Sequence, residues 1–394
     1  MSTQLTLNDA AELLGLESFD VNLAITGAAI DSRRVKRGNL FVAIVGDHTD
    51  GHHYISEARE AGASVALVST LQNDRLPQLV VSDVVKMFGK LAAYWRKQCN
   101  CKVVAVTGSN GKTTVKEMLA AILSQSHVAI ATEGNLNNNL GVPLSLFRIQ
   151  TDTDYAIIEM GANHAGEIAE LVQLACPKVS LINNVSEAHI EGFGSLEGVV
   201  EAKSEIFSSL PSDGVGVFNA DMNYSQYWNN VLKEQRSLSF GLNSSADVQA
   251  TDYQSYVTSS HFMVRLDEVF HYINLPLPGS HNMCNALAAI AVSKALSINV
   301  EDMASGLNSV KSVPHRLQIR QGIKNATILD DSYNANPASY EQAIATLKTF
   351  PGEHWIVLGD FGELGDQSEE IHTDLGVKAK SVGIKRLLTI GNKS

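Results

Sequence analysis

Basic residues are in short supply: 30 lysines and arginines stand against 42 aspartates and glutamates, a formal charge of −12. That excludes an extended nucleic-acid surface, because phosphate backbones demand a basic face. Small anionic substrates remain open to it, since a few local donors hold those. Long apolar runs are also missing. None approaches the roughly 18 residues that a membrane span needs, and the start reads as a polar stretch leading into a short amphipathic helix, not a charged-then-apolar leader. Cysteine is sparse. Of Cys99, Cys101, Cys176 and Cys284 only the first two are close, and a C-x-C pair without further partners is a poor zinc site. Free thiols in a reducing compartment are expected. The expectation is a soluble, cytoplasmic chain with no nucleic-acid partner and no membrane insertion; with nothing marking an interface, monomer is the default.

What is present is ordinary globular composition, 44% hydrophobic and 18% charged, in 394 residues. That length exceeds one ordinary core and predicts two or three domains. Up to about Val81 the pattern is mixed, with strands expected at Leu40–Val45 and Ala63–Val68 and a helix at Ile55–Ala61. A helix from Asp83 to Gln98 leads into a second block, where strands at Lys102–Val106, Tyr155–Ile158 and Val179–Asn183 alternate with helices. That rhythm predicts a largely parallel sheet covered by helices. Val217–Leu266 reads as antiparallel and irregular, and Asn285–Leu296 as an Ala-rich helix. A third block from Pro314 predicts strands at Ala326–Leu329, His354–Leu358 and Arg386–Ile390 and a helix at Ala338–Leu347, a small open α/β sheet. Its stop at Ser394, directly after a strand, is read as an incomplete doubly wound domain.

The sharpest local signal is Val103-Val104-Ala105-Val106-Thr107-Gly108-Ser109-Asn110-Gly111-Lys112-Thr113-Thr114. A buried strand empties into a glycine turn and continues as a helix. Glycines let backbone amides close around phosphate oxygens without a Cβ in the way, and the helix N-terminus adds donors and partial positive charge. Lys112 can reach the β- and γ-phosphates, and the Thr113 hydroxyl can hold magnesium. The general phosphate loop wants a glycine where Val106 stands, so this is a shorter variant, Gly108-x-x-Gly111-Lys112. The bland alternative, a tight turn with a solvated lysine, does not explain why strand, glycines, Lys-Thr and helix coincide.

Two further polar clusters follow strands: Glu159 in Glu159-Met160-Gly161-Ala162-Asn163, and His189 in Asn183-Asn184-Val185-Ser186-Glu187-Ala188-His189. Ligands of open α/β sheets sit outside the carboxyl ends of the strands, so both can converge on Lys112. Magnesium prefers oxygen, which makes Glu159 the natural ligand and His189 a less typical one. Taken alone, Glu159 reads equally as a salt-bridged carboxylate, His189 as a structural histidine, and Lys203 as a solvated lysine with acidic neighbours.

Taken together these residues resemble the Mur ligase family. Further matching segments are Asp31-Ser32-Arg33 with Gly38–Ala43, Asp50-Gly51-His52, Gly134–Asn138, Asp330-Asp331-Ser332-Tyr333-Asn334-Ala335-Asn336-Pro337, and Gly359-Asp360 with Gly362–Gly365. The resemblance implies a three-domain α/β architecture: a small UDP-binding domain at 1–82, a central P-loop parallel-sheet domain at 83–313, and a Rossmann-like domain at 314–394, incomplete. The Asp330–Pro337 run resembles the branch that adds D-alanyl-D-alanine to a UDP-N-acetylmuramoyl-tripeptide. The diamino-acid branch would show Asp-Asn-Pro-Arg where this chain reads Thr389–Ser394.

Carried over, the resemblance implies ATP and magnesium, with Thr113, Glu159, His189 and a carbamylated Lys203 serving the metal. It implies a nucleotide cradle of Gly108, Ser109, Asn110, Gly111, Lys112, Thr113 and Thr114, with Asn282 and Asn285 near the base or ribose and Arg316 and Asp331 arriving from the third domain. Lys112, Glu159, His189, Lys203 and Arg316 would carry the chemistry. Ser32, Arg33, Asp50, Gly51 and His52 would hold the UDP part, with further substrate contacts from Asn135, Asn137, Asn138, Asn334 and Asn336. Before Arg316 the family pattern usually has glycine, and this chain has His315. Competing readings are another Mur-type amino-acid ligase, a P-loop ATPase switch, and a nonenzymatic nucleotide-binding module.

Overall fold

The computed structural model describes residues 5–186 and 190–394, and the chain forms two compact units. One takes in the chain up to Val103 with His127–Met160 and Glu170–Cys176; the other holds Val104–Ser126, Gly161–Ala169 and the chain from Pro177 onward.

In the first unit, strands Gly27–Ala29, Asn39–Val42, Val65–Val68 and Gln78–Val80 lie side by side, all parallel. The two middle strands are buried on both faces, as expected of a covered parallel sheet. The helix Val84–Gln98 starts where Asp83 accepts the Lys86 N–H at 2.9 Å, an N-cap that supplies one of the orphan donors with a partner. Its apolar face stacks Phe88 on Phe147 at 5.7 Å, and Trp95 donates to the Ile149 carbonyl at 3.0 Å. A second parallel pair, Ala129–Ala131 with Tyr155–Glu159, ends on the Glu159 carboxylate.

The second unit is organised on strands in the spatial order Val269–Leu275, Ser260–Leu266, Val248–Ser255, Arg236–Gly241, Val215–Asn219, Val179–Ile182, Lys102–Thr107. Pairing is parallel from Lys102–Thr107 as far as Val248–Ser255, and only the last two junctions are antiparallel. The expectation of an antiparallel Val217–Leu266 region therefore holds for its far end alone. Short β-branched runs look alike in either direction. Val103 through Val106 are fully buried, so the strand that delivers the glycine turn is held from both sides. The helix Ser280–Ala295 begins more than a turn before the expected Asn285. Its Asn282 and Asn285 are buried, and polar residues inside the fold disguise a helix that is otherwise Ala-rich.

The chain beyond Pro314 supplies helices Pro337–Leu347 and Ser368–Ser381 around Tyr340, Ile344, Leu358, Phe361 and Leu375. Its four strands do not join into one open sheet. Gln318–Gln321 pairs antiparallel with Thr327–Asp330, and Trp355–Gly359 pairs parallel with Arg386–Ile390. Among the described residues no helix is long and apolar enough to cross a membrane, and all four cysteines are free.

Candidate active site

The glycine turn is shaped by what its neighbours leave room for. Gly111 sits at φ 76°, and a Cβ there would fall 2.4 Å from Asn285 Oδ1 and 2.6 Å from Asn183 Nδ2. No other residue fits that backbone and that space. The loop is laced to the stretch that follows the Val179–Ile182 strand. Asn110 N–H donates to Asn184 Oδ1 at 2.8 Å, and the Asn110 carbonyl accepts from Asn184 Nδ2 at 2.9 Å and Asn183 Nδ2 at 3.0 Å. Ser186 N–H donates to Ser109 Oγ at 2.9 Å, whose hydroxyl reaches the Ser186 carbonyl at 3.2 Å. Asn183 Nδ2 also donates to Asn285 Oδ1 at 2.8 Å. The Asn183-Asn184 pair is thus a scaffold for the phosphate loop that sequence reasoning quoted but gave no role. Only an amide pair right after a strand hinted at it.

From this scaffold the helix Lys112–Leu123 starts, and Lys112 Nζ folds back to the Gly108 carbonyl at 2.7 Å. Thr113 Oγ1 receives Arg316 Nη2 at 3.4 Å, and Thr114 is buried. The loop is tied to the third block once more, where Asn336 Nδ2 donates to Asn110 Oδ1 at 2.7 Å while Asn336 Oδ1 caps the Pro337–Leu347 helix at Ser339 N–H, 2.9 Å. Lys112, Thr113, Asn110, Arg316 and Asn336 are therefore gathered in one constellation.

Arg316 follows His315, which adopts φ 61°. That backbone suits glycine, because the left-handed region is strained for a side chain. Here the imidazole is tethered, with Nδ1 3.0 Å from Asp330 Oδ2 and 3.3 Å from Ser332 Oγ. Asp331 Oδ1 accepts the Leu317 N–H at 3.1 Å, and burial lifts its carboxyl above the usual range. Asn334 only accepts from the next residue's N–H at 2.9 Å. At the start of the Ser280–Ala295 helix, Asn282 Nδ2 donates to the Pro278 carbonyl at 2.7 Å. Beside it His281 has a buried Nδ1 without a partner among the described residues, and burial pushes its imidazole down to about 4.

Lys203 is the most unusual group. It lies in the last turn of Leu196–Ser204, 2% exposed, with the Phe193 ring 5.9 Å from its Nζ. Burial, and after it the nearby Lys112 charge, push its amine down from 10.5 to about 7. Desolvation disfavours the ammonium, and a second cation disfavours it further. The surface-lysine reading is corrected: this side chain is inside. Ser204 next to it accepts the indole N–H of the fully buried Trp228 at 3.0 Å, which fixes the end of the helix.

In the first unit Glu159 is 2% exposed; its N–H donates to Thr132 Oγ1 at 3.0 Å and its Oε1 accepts Asn137 Nδ2 at 2.8 Å. Asn138 Oδ1 accepts the N–H of Gly141 at 3.0 Å, whereas Asn135 is exposed. Ser32 Oγ donates to Glu57 at 3.1 Å, and Arg33 stands exposed with its guanidinium held by Asp31 at 2.7 Å. Asp50 Oδ1 accepts the His52 N–H at 2.9 Å and meets His52 Nδ1 at 2.6 Å, and His52 Nε2 accepts Ser69 N–H at 3.0 Å. Gly51 lies so close to Ile44 that a Cβ would come within 2.7 Å of its nitrogen. Asp50 and His52 thus build a turn whose polar atoms are largely spoken for. His189 lies outside the described residues. Among the described residues no three His, Cys, Asp or Glu side chains gather as a metal cluster.

The chain is 43% identical over 390 residues, 99% of its own length and 86% of the other's, to the UDP-N-acetylmuramoyl-tripeptide–D-alanyl-D-alanine ligase of Escherichia coli K12. The chain belongs to the Mur ligase family. Three Mur ligase family models divide it: the family's catalytic domain at residues 24–99, the Mur ligase middle domain at 106–293, and the glutamate ligase domain at 315–394. The three-part α/β Mur ligase architecture recurs in solved structures. A crystal structure of MurF from Acinetobacter baumannii matches with a TM-score of 0.91 and 34% identity, over 99% of this chain and 86% of that one. The MurF ligase of Thermotoga maritima in complex with ADP matches at 0.80 and 29%, over 92% and 87%.

Proposed function

We propose that the chain is an ATP-dependent amide-forming ligase that adds D-alanyl-D-alanine to UDP-N-acetylmuramoyl-tripeptide, a step of peptidoglycan precursor synthesis in the cytoplasm. The likeness to the Escherichia coli ligase across nearly the whole chain carries this reading. The phosphate loop supports it, with Lys112 folded onto the Gly108 carbonyl and Arg316 reaching the Thr113 hydroxyl. We assign residues 1–82 to the UDP part of the substrate, 83–313 to ATP, and 314–394 to a domain that delivers Arg316 and Asp331.

A carboxylate is a poor electrophile until its charge is spread. Phosphorylation of the tripeptide's terminal carboxylate gives an acyl phosphate, and the dipeptide amine then displaces phosphate to form the amide. The Gly108–Thr114 amides would cradle the phosphates, and Lys112 and Arg316 would neutralise the charge that grows as the phosphoryl group transfers. Asn282 and Asn285 would border the nucleotide base or ribose. Ser32 and Arg33 with the Asp50-Gly51-His52 turn would hold the UDP end, and Asn135, Asn137, Asn138, Asn334 and Asn336 would complete the substrate surface. Holding the partners in register supplies much of the rate.

The residues that would serve magnesium differ in chemistry: Thr113 and Glu159 would offer oxygen and His189 a nitrogen, but an ammonium at Lys203 would repel the ion. An amine with its pKa pushed down to about 7 has a substantial neutral, nucleophilic fraction at neutral pH. It can add to carbon dioxide, forming an N–C bond and releasing one proton, to give a carbamate with two oxygen ligands beside the Lys112 charge. Bound there, magnesium would supply Lewis-acid neutralisation of the phosphate oxygens.

Phosphate release tests this reading. It should require ATP, the UDP-linked tripeptide and D-alanyl-D-alanine together. Release from ATP alone at the same rate would favour a P-loop switch, and binding without any release would favour a nonenzymatic module.

A further inference from the structure

Arg316 is a charged side chain with little of the protein's own polar surface to hold it. Among the described residues its Nε is buried without a partner, and its Nη2 reaches only the Thr113 hydroxyl, at a long 3.4 Å. What does hold it is a ring. The guanidinium carbon lies 4.0 Å from the centroid of Tyr333, well within the range of a cation over an aromatic face. The ring is itself anchored through backbone: Tyr333 N–H donates to the His315 carbonyl at 3.2 Å, and the Leu317 N–H is taken by Asp331 at 3.1 Å. The segment 331–333 is thus stitched to both neighbours of Arg316, and the phenol ring closes the arrangement from above.

We infer that Tyr333 is a positioning residue for the phosphoryl-transfer step: its ring face fixes the Arg316 guanidinium toward Thr113, where the anionic phosphates of the nucleotide would lie. The inference rests on the ligase reading above. A flexible arginine would lose rotamer freedom on gripping phosphate; a stacked one has already lost it, so the gain appears in the reaction. A contact of this kind is worth a roughly 3- to 30-fold change in rate.

The test is a double-mutant cycle read by steady-state phosphate release and by melting. Tyr333→Phe keeps the ring and should hold kcat/KM for ATP within about twofold. Tyr333→Leu keeps bulk but not the π face, and should lower it roughly 3- to 30-fold while KM for the UDP substrate and the melting temperature stay put. In an Arg316→Ala background, Tyr333→Leu should have no further effect. Equal activity of the Leu and Phe variants, or the same loss when Arg316 is already absent, would overturn the inference. Absence of substrate-dependent release by the wild-type chain would instead fell the ligase reading, so the two failures are distinguishable.

Discussion

Replacing Lys203 with methionine should make the fold more stable and the enzyme inactive. Methionine matches the lysine stem in length and removes a charge from a site that is 2% exposed. Burial takes the amine from 10.5 in the unfolded chain to about 7 in the folded one. Between those values the unfolded chain holds a proton that the folded chain has released, so raising the pH through this window stabilises the fold. Below it both states are charged and the penalty is at its full size; above 10.5 it is gone. At roughly 1.4 kcal/mol per pH unit, the penalty is on the order of 4 kcal/mol near pH 7 and about 2 kcal/mol near pH 9. Amide exchange of the peptide covering Leu196–Ser204, measured along a urea series in CO2-depleted buffer, reads the opening energy of that helix alone. The methionine variant should be more stable near pH 7, and its advantage should shrink by about half near pH 9. An equal or lower stability near pH 7, or a gap that does not narrow, would refute the buried-amine argument.

Other consequences follow from the same geometry. Gly111→Ala would force a methyl group within 2.4 Å of Asn285 Oδ1 at φ 76°, so affinity for a non-hydrolysable ATP analogue should fall by about 100-fold or more in calorimetry. Ser293 is fully buried with a hydroxyl that has no partner among the described residues, so Ser293→Ala should raise stability by about 1 kcal/mol in urea unfolding. At position 315 glycine should outlast alanine by about 1 kcal/mol, since only alanine keeps the strain of φ 61° while losing the imidazole tether; thermal melting of the pair decides it.

The phosphate loop was legible because its physics is local. A β-branched strand, glycines that free the backbone, and a Lys-Thr pair at a helix start say the same thing within a dozen residues. Asp83 was legible as a helix start for a similar reason. The Asn183-Asn184 scaffold was not, because an asparagine's role depends on which carbonyl tertiary structure brings to it. The early start of the Ser280–Ala295 helix was hidden by Asn282 and Asn285, polar residues used inside the fold. Lys203 read alone as a solvated lysine, and only its burial beside Lys112 reveals a perturbed amine. His315 shows the reverse, a departure from the family's glycine that the chain absorbs by tethering the side chain to Asp330.

Oxygen-isotope transfer tests the proposed chemistry most directly. With 18O in the terminal carboxylate of the UDP-linked tripeptide, one labelled oxygen should appear in each inorganic phosphate released, and the new amide should retain the other. Phosphate that emerges unlabelled while the amide forms would mean that the acid is never phosphorylated, and the roles given to Lys112, Arg316 and Lys203 would have no reaction to serve.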